Sequence, residues 1–459
     1  MTSENLSPEQ NVYMASCLCR YRRRILCCCS PCILLLPVYL YVTIALFFAI
    51  KYSTPKVSVL PLRFVASGLK HSSDLAPHPK KSFWRTELES GALWNFIQHV
   101  TDRQNNPILR PGLANSAHVS SNLATGKGTG CSPDSAIISK IPDYSTLPTQ
   151  MKNFVATMHC RDYPLIIAPK DVCNHGPLAK IQAPMLLMAI KTQTANFENR
   201  EAIRQTWGRT GMVKGQGRQG LVRRVFLLGK TEDLRTEKEL QLEANKYADI
   251  IQWDFMDTFF NLTLKDVLFW DWFSRLCPHA HFIFKGDDDV FVRMPAVLDY
   301  LLKEKEKADE RHLKESTETN EMEGFVVGDI INNAMPIRSN EAKYYIPESF
   351  YKGLYPSYPG GGGVVYSGSL AHRLLEVSQW VHLFPIDDVY LGMCLKRLGV
   401  YPINHPAFLT FDFPKEESKD PCANHTILLV HKRSPAEMFR LWIETSTPSS
   451  RCRNASLRS

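Results

Sequence analysis

The sequence predicts an α/β domain, built on a mostly parallel sheet with helices on both faces, behind one N-terminal transmembrane helix. Three observations predict it. From Pro184 onward, short apolar runs alternate with amphipathic segments of helical length, the pattern of parallel strands joined by crossover helices. Three adjacent carboxylates, Asp287, Asp288 and Asp289, directly follow one of those apolar runs, and open α/β sheets bind ligands beyond the carboxyl ends of their strands. Finally, an uncharged stretch from Ile25 to Ile50 follows a cluster of arginines.

That uncharged stretch fixes the expected topology. About twenty apolar residues at 1.5 Å each cross the hydrocarbon core of a bilayer. Arg20, Arg22, Arg23 and Arg24 precede it and only Lys51 follows, so the heavier positive flank stays cytosolic and the rest of the chain is lumenal. A cleaved signal peptide is the competing reading. The long polar leader, the length of the apolar stretch and the lack of a small-x-small cleavage site favour a signal anchor. The expected organisation is a cytosolic tail at 1–24, a span at 25–50, a stem at 51–81 and a lumenal domain at 82–459 with its core at 184–445. The stem expectation rests on Pro55, Pro61, Pro77 and Pro79 among polar residues, a composition that forms an extended spacer rather than a core.

The thirteen cysteines divide along the same line. Cys17, Cys19, Cys27, Cys28, Cys29 and Cys32 sit at the cytosolic membrane edge, where they serve either as acylation sites or as small apolar residues of the span. Cys131, Cys160, Cys173, Cys277, Cys394, Cys422 and Cys452 fall in an oxidising compartment, where cysteines pair. Seven is odd, so at least one has no intrachain partner. No paired C-x-x-C arrangement of a structural zinc site occurs. Sequons at Asn261, Asn424 and Asn454 agree with a lumenal, glycosylated domain.

Taken in order, Met185 to Ile190 reads as a buried strand and Phe197 to Trp207 as a helix stopped by Gly208. Val222 to Leu228 is a second strand, Glu232 to Tyr247 a charged helix and Ile250 to Phe255 a third strand. Leu262 to Leu276 is a strongly apolar helix, and His281 to Lys285 a fourth strand running into the acidic triplet. Ser116 to Ser132 is small, polar and loop-like, and Lys303 to Glu323 reads as a solvated helix extension or loop. The net charge of +8 is diffuse, with no basic groove interleaved with aromatics, and excludes a nucleic-acid-binding reading.

The acidic triplet carries the strongest chemical signal. Three neighbouring carboxylates repel one another, so an ordered cluster at a strand end requires a cation or solvent. Oxygen donors suit Mg²⁺ or Mn²⁺, which bridge diphosphates. A solvated acidic turn is the bland alternative; the apolar residues on both sides argue for the metal. An EF-hand is excluded, since position six from Asp287 is Val292 and position twelve is Leu298. No glycine-rich phosphate loop opens a helix. Gly360 to Gly363 precede the strand-like Val364, Val365 and Tyr366, which fits close approach of a substrate to bare backbone or a tight turn. A second acidic motif, FPIDDVYLGMCL, places Asp387 and Asp388 at a helix start, where carboxylates either cap or act. His431 ends an apolar strand, a position from which a neutral imidazole can complete a carboxylate metal site.

The ordered motifs NREAIRQTWG, RVFLLG, DFMDTFFNLTLK, FIFKGDDDVFV, YPGGGGVVYSG and IDDVYLGMC, from Asn199 to Cys394, resemble the β1,3-glycosyltransferase family of inverting, Golgi-resident type II membrane enzymes. Segments such as FWRTE, NNPIL, YYIPE and FPIDDVY are most similar to the β1,3-N-acetylglucosaminyltransferases that initiate or elongate poly-N-acetyllactosamine. The resemblance implies a GT-A type, Rossmann-like nucleotide-sugar transferase domain, a UDP-GlcNAc donor, a divalent ion (Mn²⁺ or Mg²⁺) and a galactose-terminated glycan acceptor. It also implies a Golgi membrane location and allows homo- or hetero-oligomers with other glycosyltransferases. Position by position, it implies Asp289 and His431 as metal ligands, Asp287 and Asp288 at the ribose or metal-bound water, and Arg200 and Arg204 near the nucleotide. Trp207 is near it too, or is core. Asp388 matches the general base.

The chemistry requires two separate sites. Loss of UDP leaves charge on a diphosphate, which a divalent ion neutralises, while the attacking 3-hydroxyl needs a base on the opposite face. The two acidic motifs, about a hundred residues apart, meet that requirement. Two rival readings remain at this level: a β1,3-galactosyltransferase using UDP-galactose, and a non-catalytic Golgi protein that binds glycans or assists another transferase.

Overall fold

The computed structural model of the chain describes Thr43 and residues 91–105, 131–173, 183–215, 217–315 and 321–458. The chain divides into two units, Met1–Leu62 and Arg63–Ser459. Of the first only Thr43 is described, in a helical conformation, and the architecture below is that of the second. Among the described residues no helix is long and apolar enough to cross a membrane. The expected tail and stem lie outside the described residues, as does the span apart from Thr43.

The centre of the domain is a set of largely apolar parallel strands. β1 (Leu165–Ile167) is a short edge strand, and β2 (Leu186–Lys191) is buried at all six positions. β3 (Gly211–Lys214), β4 (Gln219–Lys230), β5 (Ile250–Met256) and β6 (Phe282–Asp287) follow. β7 (Phe291–Val292), β8 (Val326–Ile331), β9 (Tyr358–Ser367), β10 (Ile403–Asn404), β11 (Phe408–Leu409) and β12 (Leu429–Val430) complete the set. Nine strands form one sheet in the order β1-β5-β4-β2-β6-β9-β8-β10, with β3 paired to β4. The β5-β4-β2-β6 block is parallel, while β1, β3 and β9 run antiparallel to their neighbours. The sheet is therefore mixed rather than mostly parallel. The parallel reading holds for that block and for the β8–β10 pair, while β1, β3 and β9 bring in the antiparallel pairings.

Side-chain alternation sends β2 into two cores. Leu187 and Ala189 pack on one face with Val225, Leu227 and Ile283, and Leu186, Met188 and Ile190 pack on the other with Phe226, Leu228 and Phe284. Burial on both faces is why these strands read as continuous apolar runs. The helices are α1 (Leu93–Asn105), α2 (Ser135–Ile138), α3 (Thr149–Thr157), α4 (Phe197–Gln205) and α5 (Leu234–Tyr247). α6 (Leu262–Leu276), α7 (Met294–Glu315), α8 (Gly368–Ser378), α9 (Asp387–Leu398) and α10 (Pro435–Ser446) follow. α6 lies within the first core, with Leu264, Phe269, Trp270 and Phe273 buried. α7 extends the second core and continues as the charged run that begins at Lys303. α9 ends on Gly399, whose φ of +66° closes the helix as a left-handed glycine cap does.

β2 connects outward to β4 and β5 on one side, and the chain then returns to place β6 on its other side. The carboxyl ends of β2 and β6 thus flank the point where strand order reverses, the crevice in which open α/β sheets bind ligands. A second, three-stranded sheet in the order β11-β12-β7 pairs β12 antiparallel with β7, Val430 opposite Phe291. It carries the chain after β12 back beside the acidic triplet.

The seven cysteines from Cys131 onward resolve as three disulfides, Cys131–Cys160, Cys173–Cys277 and Cys422–Cys452, and one buried thiol, Cys394. Burial pushes the Cys394 thiol up to about 12, so the reactive thiolate is scarce at neutral pH. Native protein treated with iodoacetamide at pH 8 is expected to stay unlabelled at Cys394, which reacts once the chain is denatured without reductant. Mass-spectrometric labelling of any of the other six cysteines under that second condition would contradict the pairing.

Candidate active site

The site is built from three strand ends and one helix start. β6 delivers Asp287, the turn after it Asp288 and Asp289, β12 delivers His431, and α9 begins with Asp387 and Asp388. β2 contributes Lys191, and this ammonium joins the two acidic motifs. It lies 3.1 Å from Asp287 and is hydrogen-bonded to Asp387. Lys285, buried in β6, is 2.6 Å from Asp266 of α6 and 3.7 Å from the same Asp387 carboxylate. Burial alone would raise the Asp387 carboxyl, but Lys191 and Lys285 overcome it and hold that group low. Burial would likewise lower Lys191, and Asp287, Asp387 and Asp388 reverse the sign.

Asp287, Asp289 and His431 converge, their ligand atoms lying within 4.8 Å of one another. His431 Nδ1 stands 3.1 Å from the Thr410 carbonyl oxygen, which only accepts. The ring proton is thereby fixed on Nδ1 and the Nε2 lone pair is free. Nε2 faces Asp289 Oδ1 at 3.2 Å, and that oxygen is buried with no hydrogen-bond donor. Two acceptors at that distance repel unless a cation lies between them. A proton serves when nothing else does: burial would lower the His431 imidazole, yet the bond to Asp289 and its charge raise it. Two carboxylates and a neutral imidazole fit a divalent ion such as Mn²⁺.

The arrangement of β12 explains how His431 arrives there. Its backbone N–H donates to the Leu409 carbonyl of β11 at 3.0 Å, and the Arg433 N–H donates to the Asp289 carbonyl at 2.7 Å. Between them Lys432 takes a left-handed φ of 59°, unusual for a side chain of its size.

Asp288 points away from this cluster. Its carboxylate accepts from Thr192 Oγ1 at 2.5 Å and from Asn196 Nδ2 at 2.8 Å, and Asn199 Nδ2 donates to its backbone oxygen at 3.1 Å. Burial pushes it up to about 6, against those bonds. It fastens the triplet to the loop after β2. Arg200 and Arg204, which the resemblance puts near the nucleotide, have their guanidinium groups engaged within the protein. Arg200 is fully buried, paired with Glu243 and donating to the Gln193 and Thr194 carbonyls. Arg204 spans Glu243 and Asp249 with its guanidinium 3.9 Å from the centre of the Tyr247 ring. Arg200 ties α4 to α5 and shapes the 192–194 loop, and Arg204 ties α4 to Glu243 of α5 and to Asp249 just beyond it. Trp207 is core, edge-on to Phe284 at 5.9 Å.

Asp387 and Asp388 are not helix caps: Ile386 occupies the N-cap of α9 with no side-chain bond to the helix. Asp387 is turned to the lysines. Asp388 is half-buried, and burial together with Asp387 raises its carboxyl. The glycine run is not a tight turn. It lies inside β9, and its missing side chains make room for the site itself. A Cβ on Gly361 would lie 2.6 Å from Asp388 Oδ2, and one on Gly362 would lie 2.9 Å from His431 Cβ.

Several working residues were not singled out from sequence. Lys285 interrupts a fully buried strand, and Lys265 and Asp266 interrupt a buried helix; a charge inside an apolar run is the signal that could have found them. Tyr344 was equally unsuspected. Its hydroxyl is raised first by burial and then by Asp388, Asp287, Asp387 and Asp289, so this ring overlooks both halves of the site. It packs edge-on against Phe259 at 5.1 Å.

Residues 198–406 match the protein family described as Galactosyltransferase. The mouse protein named N-acetyllactosaminide beta-1,3-N-acetylglucosaminyltransferase 2 is 41% identical over 82% of this chain and 89% of its own length. Its human counterpart is also 41% identical, with the same coverage. The mouse protein named UDP-GlcNAc:betaGal beta-1,3-N-acetylglucosaminyltransferase 7 is 40% identical over 66% of this chain and 72% of its own.

Replacing Asp289 with Asn removes one charge from a cluster whose other ligands stay in place. Mn²⁺ affinity, read by calorimetric titration of the folded variant, is expected to fall at least tenfold, and His431→Ala is expected to act in the same direction. Unchanged Mn²⁺ binding in Asp289→Asn would contradict the assignment of the cluster.

Proposed function

The chain belongs to the β1,3-N-acetylglucosaminyltransferase family, and on that premise we propose that it transfers N-acetylglucosamine from UDP-GlcNAc to the 3-hydroxyl of a terminal β-galactose. The product class is the poly-N-acetyllactosamine chain on glycoproteins or glycolipids. One observation carries the reading: a cation-ready Asp287–Asp289–His431 cluster is tied through Lys191 to Asp387, the chain neighbour of a separate, half-buried carboxylate, Asp388. A sugar-binding module needs no such combination.

A divalent ion held by Asp289, His431 and Asp287 would supply charge neutralisation at the departing diphosphate. The rest is the work of this chain's own residues. The acceptor O3 forms its bond to the anomeric carbon as the bond from that carbon to the UDP oxygen breaks. The O3 proton passes to the Asp388 carboxylate. A base works best with its pKa near the operating pH, and burial beside Asp387 moves Asp388 in that direction. Lys191 and Lys285 keep Asp387 ionised, so its charge continues to act on Asp388. Gly361 leaves room for that carboxylate against β9. Tyr344 offers an exposed aromatic face beside Asp388, a surface on which a sugar ring can rest.

The fold reading that accompanies this function is the GT-A type, supported by the parallel block and its switch-point acidic cluster. The cellular reading is a type II Golgi membrane protein with a lumenal catalytic domain, supported by the arginine-flanked apolar stretch, the sequons and the disulfides. The description of the matched family gives the galactosyl donor one specific point in its favour. Transfer assays with UDP-GlcNAc and UDP-galactose on a β-galactose-terminated acceptor separate the two, and we expect product with UDP-GlcNAc. Product with UDP-galactose alone would overturn the donor assignment.

Asp388→Asn is expected to lower kcat by about 10²–10⁴-fold while UDP binding in Mn²⁺ is retained. In the wild type the reactive carboxylate form fills in as pH rises, so kcat falls on the acid side, with a midpoint above the ordinary carboxylate range. Asp387→Asn is no neutral control. It takes one of two carboxylates from Lys191, which keeps Asp287, and the more distant one from Lys285, which keeps Asp266, so a lower Tm is expected beside any change in kcat. An Asp388→Asn enzyme with wild-type kcat would remove Asp388 from the mechanism.

A further inference from the structure

The segment that delivers Asp388 is an irregular loop, residues 379–386, between α8 and α9. A buried loop has no regular backbone partners, so its carbonyls must find donors elsewhere. Here they find side chains, almost one for each residue. Arg161 Nη1 donates to the Ser378 carbonyl at 2.7 Å and its Nη2 to the Val381 carbonyl at 2.6 Å. Gln98 Nε2 donates to Trp380 at 2.9 Å, and Gln98 Oε1 accepts from the His382 N–H at 2.8 Å. Trp94 Nε1 is shared between the His382 and Leu383 carbonyls at 3.1 and 3.2 Å. Thr263 Oγ1 donates to Phe384 at 2.6 Å. Three residues later the chain enters α9 with Asp387 and Asp388.

Two of these donors come from α1, a helix whose buried side mixes apolar and polar residues. Its polar Asn95, Gln98 and Asp102 are buried alongside Leu93 and Trp94, while Phe96 is 54% and Val100 36% exposed. Stability alone would favour apolar residues in those three places. The polar residues engage the site on two fronts. Asn95 Nδ2 donates to the Lys352 carbonyl at 2.7 Å, in the segment that also carries Tyr344, and Asp102 pairs with Arg397 on α9 itself. Residues 91–173 precede the matched 198–406 region, so this support is contributed from outside it.

We infer that α1 and Arg161 are positioning elements for the base: their side chains hold loop 379–386, and thereby set where Asp388 meets the acceptor hydroxyl. The inference rests on Asp388 being the base, as proposed above. None of these residues touches the Asp287–Asp289–His431 cluster through any of the bonds just given, so the two halves of the site are separable. Misplacing a reacting group by about 1 Å costs on the order of 10²-fold in rate.

The test uses the lumenal protein with Gln98→Leu, which keeps bulk but removes both the donor and the acceptor, and Arg161→Lys, which keeps charge but loses the two-pronged grip. Trp94→Phe is the milder variant if Gln98→Leu fails to fold. Each is measured for kcat on UDP-GlcNAc with a β-galactose acceptor, for UDP binding in Mn²⁺, and for hydrogen exchange of residues 379–388. The expected result is a kcat loss of about tenfold or more, UDP affinity within twofold of wild type, and faster exchange in that loop. A folded variant with wild-type kcat overturns the inference, and so does one in which kcat and UDP affinity fall together. If the wild type itself proves inactive on this pair, the functional reading fails and the exchange result decides the positioning: faster exchange supports it, unchanged exchange overturns it.

Discussion

The buried ammonium of Lys191 is the constraint on which the rest of the structure depends. It ends β2, the central strand of the parallel block, and touches Asp287 at the end of β6 and Asp387 at the start of α9. A lone ammonium in that position would be untenable, as would a lone Asp387 carboxylate. Together with Lys285 and Asp266 they form an alternating chain of charges in which each member makes the next tolerable. Such networks add little net stability compared with apolar packing, but breaking one member is costly. What the network provides is register: it holds the Asp287–Asp289–His431 cluster and the Asp387–Asp388 pair in one fixed relation.

Seen from that network, otherwise odd features fall into place. The strand order must reverse between β2 and β6 for their ends to flank an open crevice. β9 must carry glycines where Asp388 and His431 press against it. The small three-stranded sheet must exist to return His431 to the triplet, and the left-handed Lys432 lets the chain leave again. Arg200, a conspicuous cation of the first motif, shapes the loop whose Thr192 and Asn196 fasten Asp288.

Much of the parallel block was legible in the sequence because periodicity reports burial directly. The helix expected at Leu262–Leu276 has those bounds, and each of the four expected strands lies within a few residues of an observed one. The acidic triplet, His431 and Asp388 were legible because charges at strand and helix ends stand out against apolar flanks. Partner choice was not legible. Lys191 and Asp387 are 196 residues apart, and nothing local announces their pairing. The pairing of Arg200 and Arg204 with Glu243 and Asp249 was hidden for the same reason, since these partners lie 39 to 45 residues further along the chain. The antiparallel strands and the buried polar residues of α1 were missed because both are set by tertiary contacts that override the usual pattern.

The central claim is a single displacement, with a cation cluster on one side of the sugar and Asp388, not a covalent nucleophile, on the other. The anomeric configuration of the first-formed product tests it most directly. Proton NMR of early product made from UDP-GlcNAc, whose sugar is α-linked, is predicted to show only the β anomer joined to O3 of galactose. An α-linked product would mean retention, and would contradict the division of labour between the cluster and Asp388.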